Sequence, residues 1–247
     1  KEDIQKAIYL DPDIVTYSSL DILSKLLDDN SIILTPHITN PLPWDGKSPN
    51  ENLFLNYGIY NLGFIGLRND VNSDNLLTWW KNHTYINGYK KPHHGVFVDQ
   101  LPINLSPIFF DGVFVSRNMG LNMAPWNLHE RQLNPTDRGY EVNYADDLIF
   151  FHFSSFNVSN LELPLQYYNR YLLKDREDLS ALYEGYKEEL LANGYHKYST
   201  SICCYVDIYE EELIKLKQME WNNFSTLKKI FVTLKNIIPN RIKKKLR

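Results

Sequence analysis

The sequence predicts an α/β fold: a mixed sheet flanked by helices, followed by a helical tail. Three observations lead there. Short apolar runs of strand length alternate with segments in which leucines recur at helical spacing. Polar side chains interrupt or end several of those runs, at Asp11/Asp13, Asn61, Asp99-Gln100 and His152. Glycines punctuate the apolar run 58–67, as they do where backbone meets backbone or a ligand.

Taken in order, residues 7–10 read as a strand that ends in the acidic turn Asp11-Pro12-Asp13, with Ile14 and Val15 beyond it. Ser19 can cap a helix carrying Leu20, Leu23, Leu26 and Leu27 on one face. Residues 32–34 form a second strand, ending at Thr35-Pro36-His37, and the proline-rich stretch 40–49 is a loop. Ser48-Pro49-Asn50-Glu51 has the form of a capping box with proline at the first helical position, so a short helix follows. Residues 58–67 read as a buried strand. Ser73 can cap a helix carrying Leu76, Leu77 and Trp80. Phe114-Val115 and 148–153 add strands, the latter interrupted by His152. Leu179, Leu182, Tyr183, Tyr186 and Leu190 keep helical spacing, and Gly194 suits the helix end. Two regions are expected, 1–200 and a helical tail, 201–247.

The 247 residues suffice for a full core. No apolar stretch approaches the roughly 20 residues of a membrane span, and no signal-peptide pattern opens the chain. Cys203 and Cys204 are adjacent, which implies no disulfide framework and fits a reducing compartment. The net charge of −4 is uneven. Residues 227–247 hold eight basic and no acidic side chains; the other 226 residues hold 18 basic and 30 acidic ones. An acidic body argues against nucleic acid as the main ligand. The tail places Leu227, Ile230, Phe231, Leu234, Ile237 and Ile238 on one helical face and lysines on the other. That pattern suits a helix lying on an anionic membrane, and equally one docked on its own domain.

Two carboxylates at the end of a hydrophobic strand need a partner, because unpaired buried charge is costly. A divalent cation with oxygen ligands is the simplest. Alternate residues of an extended segment point to opposite faces, but Pro12 lets the chain turn so that Asp11 and Asp13 can approach one ion. His152 would add an imidazole and tilt the choice toward Mn²⁺ over Mg²⁺. In open α/β sheets ligands bind at the carboxyl ends of strands, where all these polar insertions can converge. Each residue also has a plainer reading. Asp11/Asp13 fits an ordinary acidic turn, His152 a hydrogen-bonded core histidine, Asp99 a strand-end acid and Gln100 a helix N-terminal residue. Arg131 fits phosphate or a surface salt bridge, and Trp126 a sugar-stacking platform or simple packing.

The series Tyr9-Leu10-Asp11-Pro12-Asp13, Tyr60-Asn61-Leu62-Gly63-Phe64, Val98-Asp99-Gln100 and Phe151-His152-Phe153-Ser154 resembles glycosyltransferases of the GT-A fold. It is most similar to the family 8-like, retaining branch that uses nucleotide-sugar donors. Leu34-Thr35-Pro36-His37 and the stretch from Ala124 to Arg131 look like linking phrases of bacterial members. The resemblance runs from about residue 7 to about 194. It implies a mixed GT-A sheet and a sugar moved from a nucleoside-diphosphate donor, UDP first, to a glycan or glycolipid hydroxyl in surface-polysaccharide synthesis. By the same resemblance Asp11, Asp13 and His152 hold the metal, with Asp11 also meeting the donor. Asn61 touches donor or acceptor hydroxyls, and Asp99 and Gln100 lie beneath the anomeric carbon. Arg131 would meet diphosphate and Trp126 the sugar. Gln100 offers only an amide oxygen, so front-face transfer is the expected route. Two departures stand out. About six residues precede the acidic strand where the family has a nucleotide-binding half, so a truncated domain with an exposed sheet edge is expected. Ser154-Ser155-Phe156-Asn157 replaces the family's glycine and Lys-Pro-Trp. A nucleotidyltransferase, or a decayed transferase acting as a carbohydrate-binding or scaffold module, is the alternative. The expected location is cytoplasmic, with peripheral contact at the inner face of the membrane.

Overall fold

A computed structural model describes residues 4–159, 168–201 and 203–223. The architecture is mixed α/β, with small sheets and interleaved helices. The chain divides into two units, Lys1–Glu188 and Glu189–Arg247, where the sequence placed the division at 200.

The first unit starts with β1 (Lys6–Leu10) and β2 (Ile14–Thr16), then α1 (Asp21–Asp29) and β3 (Ile32–Leu34). After a long loop come α2 (Glu51–Tyr57), β4 (Phe64–Arg68) and α3 (Val71–Asn87). A small hairpin of β5 (Lys90–Lys91) and β6 (Val96–Phe97) precedes α4 (Ser106–Phe109) and β7 (Val113–Val115). The main sheet has the order β1-β4-β3-β7; β4 is antiparallel to both neighbours and β3 is parallel to β7. β1 is therefore an edge strand. Its alternation of side chains puts Ile8 and Leu10 against α1, while Ala7 and Tyr9 face the other way. Leu23 and Leu27 of α1 are fully buried and pack with Ile33, Phe64 and Phe150. Each such leucine contributes about 1.5–3 kcal/mol.

Three helix starts differ from expectation: at α2 and α3 several polar residues compete and one with extended backbone before the first turn prevails, while α1 follows Leu20 with no side-chain cap. α1 begins at Asp21, and Ser19 Oγ accepts the Asp21 N–H at 3.2 Å rather than a later amide. α2 is capped by Asn50, which accepts the Leu53 N–H, and not by Ser48; Glu51 accepts the Leu42 N–H instead of closing a capping box. α3 is capped by Asp70, which accepts the Ser73 N–H, while the Ser73 hydroxyl donates to the Ser31 carbonyl. The expected strand 58–67 is regular only from Phe64 onward.

Asp70 also accepts from Ser31 Oγ and Arg68 Nε, both at 2.7 Å. Burial acts to raise its pKa, but these bonds outweigh it, and the carboxyl lies below the usual carboxylate value. Asp70→Ala is expected to destabilise the fold by about 1–2 kcal/mol in urea unfolding. A depressed folded pKa means that this stabilisation is present above the unfolded aspartate pKa and is lost as pH falls through the folded value. The gap between wild type and variant should therefore close in acid.

The second half of this unit contains a meander of β8 (Leu133–Thr136), β9 (Gly139–Val142) and β10 (Asp146–Asp147), then β11 (Phe150–His152). β11 pairs antiparallel with β2, setting His152 opposite Ile14. The expected strand 148–153 is regular only over Phe150–His152, and His152 is its last residue. Beyond it, Phe153 stacks on Tyr186 of α5 (Ser180–Ala192) with ring centroids 3.9 Å apart. The second unit contains α6 (Tyr195–Tyr198), entered through Gly194 at φ +92°, and α7 (Cys204–Asn223). Among the described residues no helix is long and apolar enough to cross a membrane. The amphipathic pattern over 227–247 lies outside the described residues.

Candidate metal centre

Asp11, Asp13 and His152 each bring one ligand atom within 4.8 Å of the others, and these three side chains could hold a metal ion. Two backbone devices produce this convergence. The Asp11 N–H donates to the Gly63 carbonyl at 2.8 Å, extending the β1/β4 ladder one step. The Ile14 N–H then donates to the Asp11 carbonyl at 3.0 Å and closes a turn over Pro12 and Asp13. The turn feeds β2 into its pairing with β11, and the Phe153 N–H donates to the Asp13 carbonyl at 2.8 Å. Asp13 Oδ1 ends 3.1 Å from His152 Nε2. The Tyr9 hydroxyl donates to Asp11 Oδ1 at 2.7 Å, and that bond raises the phenol's own pKa. Burial acts to raise the Asp13 pKa; the hydrogen bond and charge of His152 outweigh it, and the carboxyl lies below its ordinary value. Asp13 is therefore ionised at neutral pH, as a metal ligand must be.

The imidazole is oriented from behind. Asn61 Oδ1 accepts from the Gly63 N–H at 3.2 Å and from Asn122 Nδ2 at 3.0 Å, and it lies 3.2 Å from His152 Nδ1. A backbone N–H can only donate, so the amide oxygen faces His152 and Nδ1 carries the proton. Nε2 is the nitrogen turned toward the two carboxylates. Such an outer hydrogen bond sets tautomer and ring direction at metal-binding histidines. A further layer supports Asn61. Its Nδ2 donates to His37 Nε2 at 3.3 Å, and His37 Nδ1 donates to the Ile59 carbonyl at 3.2 Å. Burial pulls the His37 pKa down to about 4, so this imidazole stays neutral and can accept. Asn122, at φ +56°, also donates to Thr35 Oγ1 at 2.9 Å, and Asn127 Nδ2 holds the carbonyls of His37 and Asn122. Asn122 and Asn127 were missed in the sequence. The signal that marked Asn61, an amide inside an apolar stretch, marks them too. Asn61→Ala is expected to weaken Mn²⁺ binding by roughly 10–100-fold while leaving all three ligands in place; titration of free Mn²⁺ by electron paramagnetic resonance measures it.

A cleft of about 540 Å³ opens beside Asp11 and is lined by Tyr9, Asn61, Ile65, Trp80, Asp99 and Gln100, among others. Asp99 is exposed there, and its backbone carbonyl accepts the Trp80 indole N–H at 2.7 Å. Gln100 is braced at both ends of its amide: Oε1 accepts the Leu62 N–H at 3.0 Å and Nε2 donates to the Tyr57 carbonyl at 2.8 Å. Trp126 lies next to the centre, 3% exposed, with its ring packed on His152 and His37 at centroid distances of 5.0 and 5.2 Å. Little ring face is left for a stacked sugar. Arg131 does not line the cleft. Its guanidinium is buried and donates to the Met119 and Leu121 carbonyls, with Glu130 3.6 Å away. Burial pulls its pKa down to about 10 against the opposing pull of Glu130. Such a guanidinium serves as an internal brace and not as a free phosphate fork.

No family model matches the chain. The chain is 25% identical to "Uncharacterized protein YfnF" of Bacillus subtilis (strain 168) over 188 residues, which cover 76% of this chain and 60% of that protein. It is 24% identical to "Uncharacterized protein YfnD" of the same strain over 192 residues, 75% of this chain and 57% of that protein. The chain thus spans about three fifths of the length of these curated relatives.

Proposed function

We propose that the protein is a metal-dependent glycosyltransferase. It moves a sugar, with retention, from a nucleoside-diphosphate donor (UDP-sugars first) to a hydroxyl of a glycan or glycolipid. The observation that carries this reading is the meeting of Asp11, Asp13 and His152 next to a cleft that Asp11 lines together with Asp99 and Asn61. Two carboxylates and an imidazole suit Mn²⁺, with Mg²⁺ second. The outer hydrogen bond to His152 Nδ1 fits the residues for a bound cation. A cation held there would supply positive charge for the departing diphosphate. In this reading the chain's own residues do the rest. Asp11, Asp13 and His152 Nε2 bind, Asn61 keeps the imidazole in register, and the exposed Asp99 carboxylate receives sugar hydroxyls. The Gln100 amide is committed to backbone at both ends, which favours direct attack by the acceptor hydroxyl over a covalent step on this side chain.

The test is release of UDP from a panel of UDP-sugars in the presence of Mn²⁺, with and without EDTA. Metal-dependent release supports the proposal. If no donor is turned over and UDP binding is indifferent to Mn²⁺, the proposal is wrong.

A further inference from the structure

The helix α7 runs for 20 residues, Cys204–Asn223. Among its described side chains all are exposed except Leu213, which is half-buried. Several of the exposed ones are large and apolar: Val206 is 52% exposed and Tyr209 64%. Most helical stability in proteins comes from packing an apolar face, not from propensity. Such a face calls for a partner, and the order of residues along it says which.

Apolar residues recur at alternating steps of three and four: Val206, Tyr209, Leu213 and Leu216. Glu220 and Asn223 hold the next two places. The same spacing resumes in the sequence at Leu227, Ile230, Leu234 and Ile237, so eight of these ten positions are apolar. A mean spacing of 3.5 residues kept over more than four heptads marks a coiled-coil seam, along which two helices interlock. In heptad terms Val206 and Leu213 take position a, and Tyr209 and Leu216 position d. The flanking positions then choose the partner. Glu212 falls at g and Lys217 at the following e. Five residues apart, they stand on different sides of one helix and cannot pair with each other. In two parallel copies in register, Glu212 meets the partner subunit's Lys217 once on each side of the seam. An antiparallel pair would set g against g and lose this match. An anionic membrane would favour lysine at the borders of the stripe, where α7 carries Glu210 and Glu212.

We propose that α7 is a dimerisation helix, which forms a parallel two-stranded coiled coil with the same helix of a second copy of this chain. Glu212 and the partner subunit's Lys217 set its direction and register. Glu220 and Asn223 interrupt the apolar seam, as polar residues do that fix register at a cost in stability. The dimer needs neither metal nor donor, so it stands apart from the transferase reading. The experiment is sedimentation equilibrium of the intact chain in EDTA over a range of protein concentrations. Wild type should be a dimer that dissociates on dilution. Glu212→Lys sets lysine against lysine, and Lys217→Glu sets glutamate against glutamate. Each should raise the dissociation constant roughly tenfold. Mixed in equal amounts, the two variants should form a heterodimer at least as tight as wild type, because every g–e contact then joins opposite charges. Misfolding of either variant cannot produce that recovery. Glu220→Leu, which extends the apolar seam, should tighten the dimer roughly tenfold. A chain that stays monomeric at every concentration overturns the proposal, as does unchanged self-association in both charge variants or the lack of a heterodimer on mixing. A monomer that floats with phosphatidylserine vesicles also overturns it, for the face is then a lipid contact.

Discussion

Asp13→Ala abolishes tight Mn²⁺ binding and leaves the fold standing: that pairing of effects is the first expected result. Asp13 supplies an ionised oxygen 3.1 Å from His152 Nε2, at the point where Asp11 also converges. In the proposed centre it is one of three protein ligands, so its removal should lower affinity by more than the roughly 10–100-fold that loss of an outer hydrogen bond costs. The structural cost is small for two reasons. The side chain is 39% exposed, so the pair with His152 contributes about 1 kcal/mol or less. The contact that anchors Phe153 uses the Asp13 carbonyl, which alanine keeps. Electron paramagnetic resonance of free Mn²⁺ and a urea melt read the two effects separately. Wild-type Mn²⁺ affinity in the variant would sink the metal centre.

Gly63→Ala should damage the same centre without touching a ligand. A Cβ at this position would stand 2.5 Å from His152 Cε1, 2.7 Å from His152 Nδ1 and 2.8 Å from Asn61 Oδ1. Carbon atoms do not approach that closely, so the imidazole or the amide must move. Neither has room. Trp126 packs on the His152 ring, and Asn61 is held by Asn122 and His37. Overpacking of this kind costs about 1–3 kcal/mol, and a displaced ring loses its aim at the carboxylates. A lowered urea midpoint together with weakened Mn²⁺ binding is expected. A variant that matches wild type in both would show that the ring is not confined as described.

Much of this was visible in the residues. The strands at 7–10 and 32–34 and the leucine face of α1 follow from hydrophobic period alone. The acidic turn was legible because carboxylates at the end of an apolar strand demand a partner. The caps at Asn50 and Asp70 were less so, since neighbouring serines satisfy the same rule and only backbone conformation decides. His152 illustrates the harder limit. Its residue type favoured a hydrogen-bonded core histidine and only the family resemblance favoured a metal ligand, while its approach to Asp13 depends on a pairing between β2 and β11 that no local window contains. Asn61 was marked as anomalous, yet its partner is an imidazole 91 positions away. Gln100 and Arg131 carry groups suited to chemistry, but the fold engages both with backbone carbonyls and amides, a matter of tertiary packing.

The three-residue ladder between β2 and β11 has a thermodynamic consequence. It joins the start of the first unit to a strand more than 130 residues later, so the three ligands meet only when all the intervening chain has been closed into place. Closing so long a loop carries an entropic cost that grows only slowly with length. An ion that binds there recognises the finished unit and has no counterpart in the unfolded chain. Any affinity for an ion at this place would therefore add to the stability of the unit by mass action, and a chelator would return the unit to its ion-free stability.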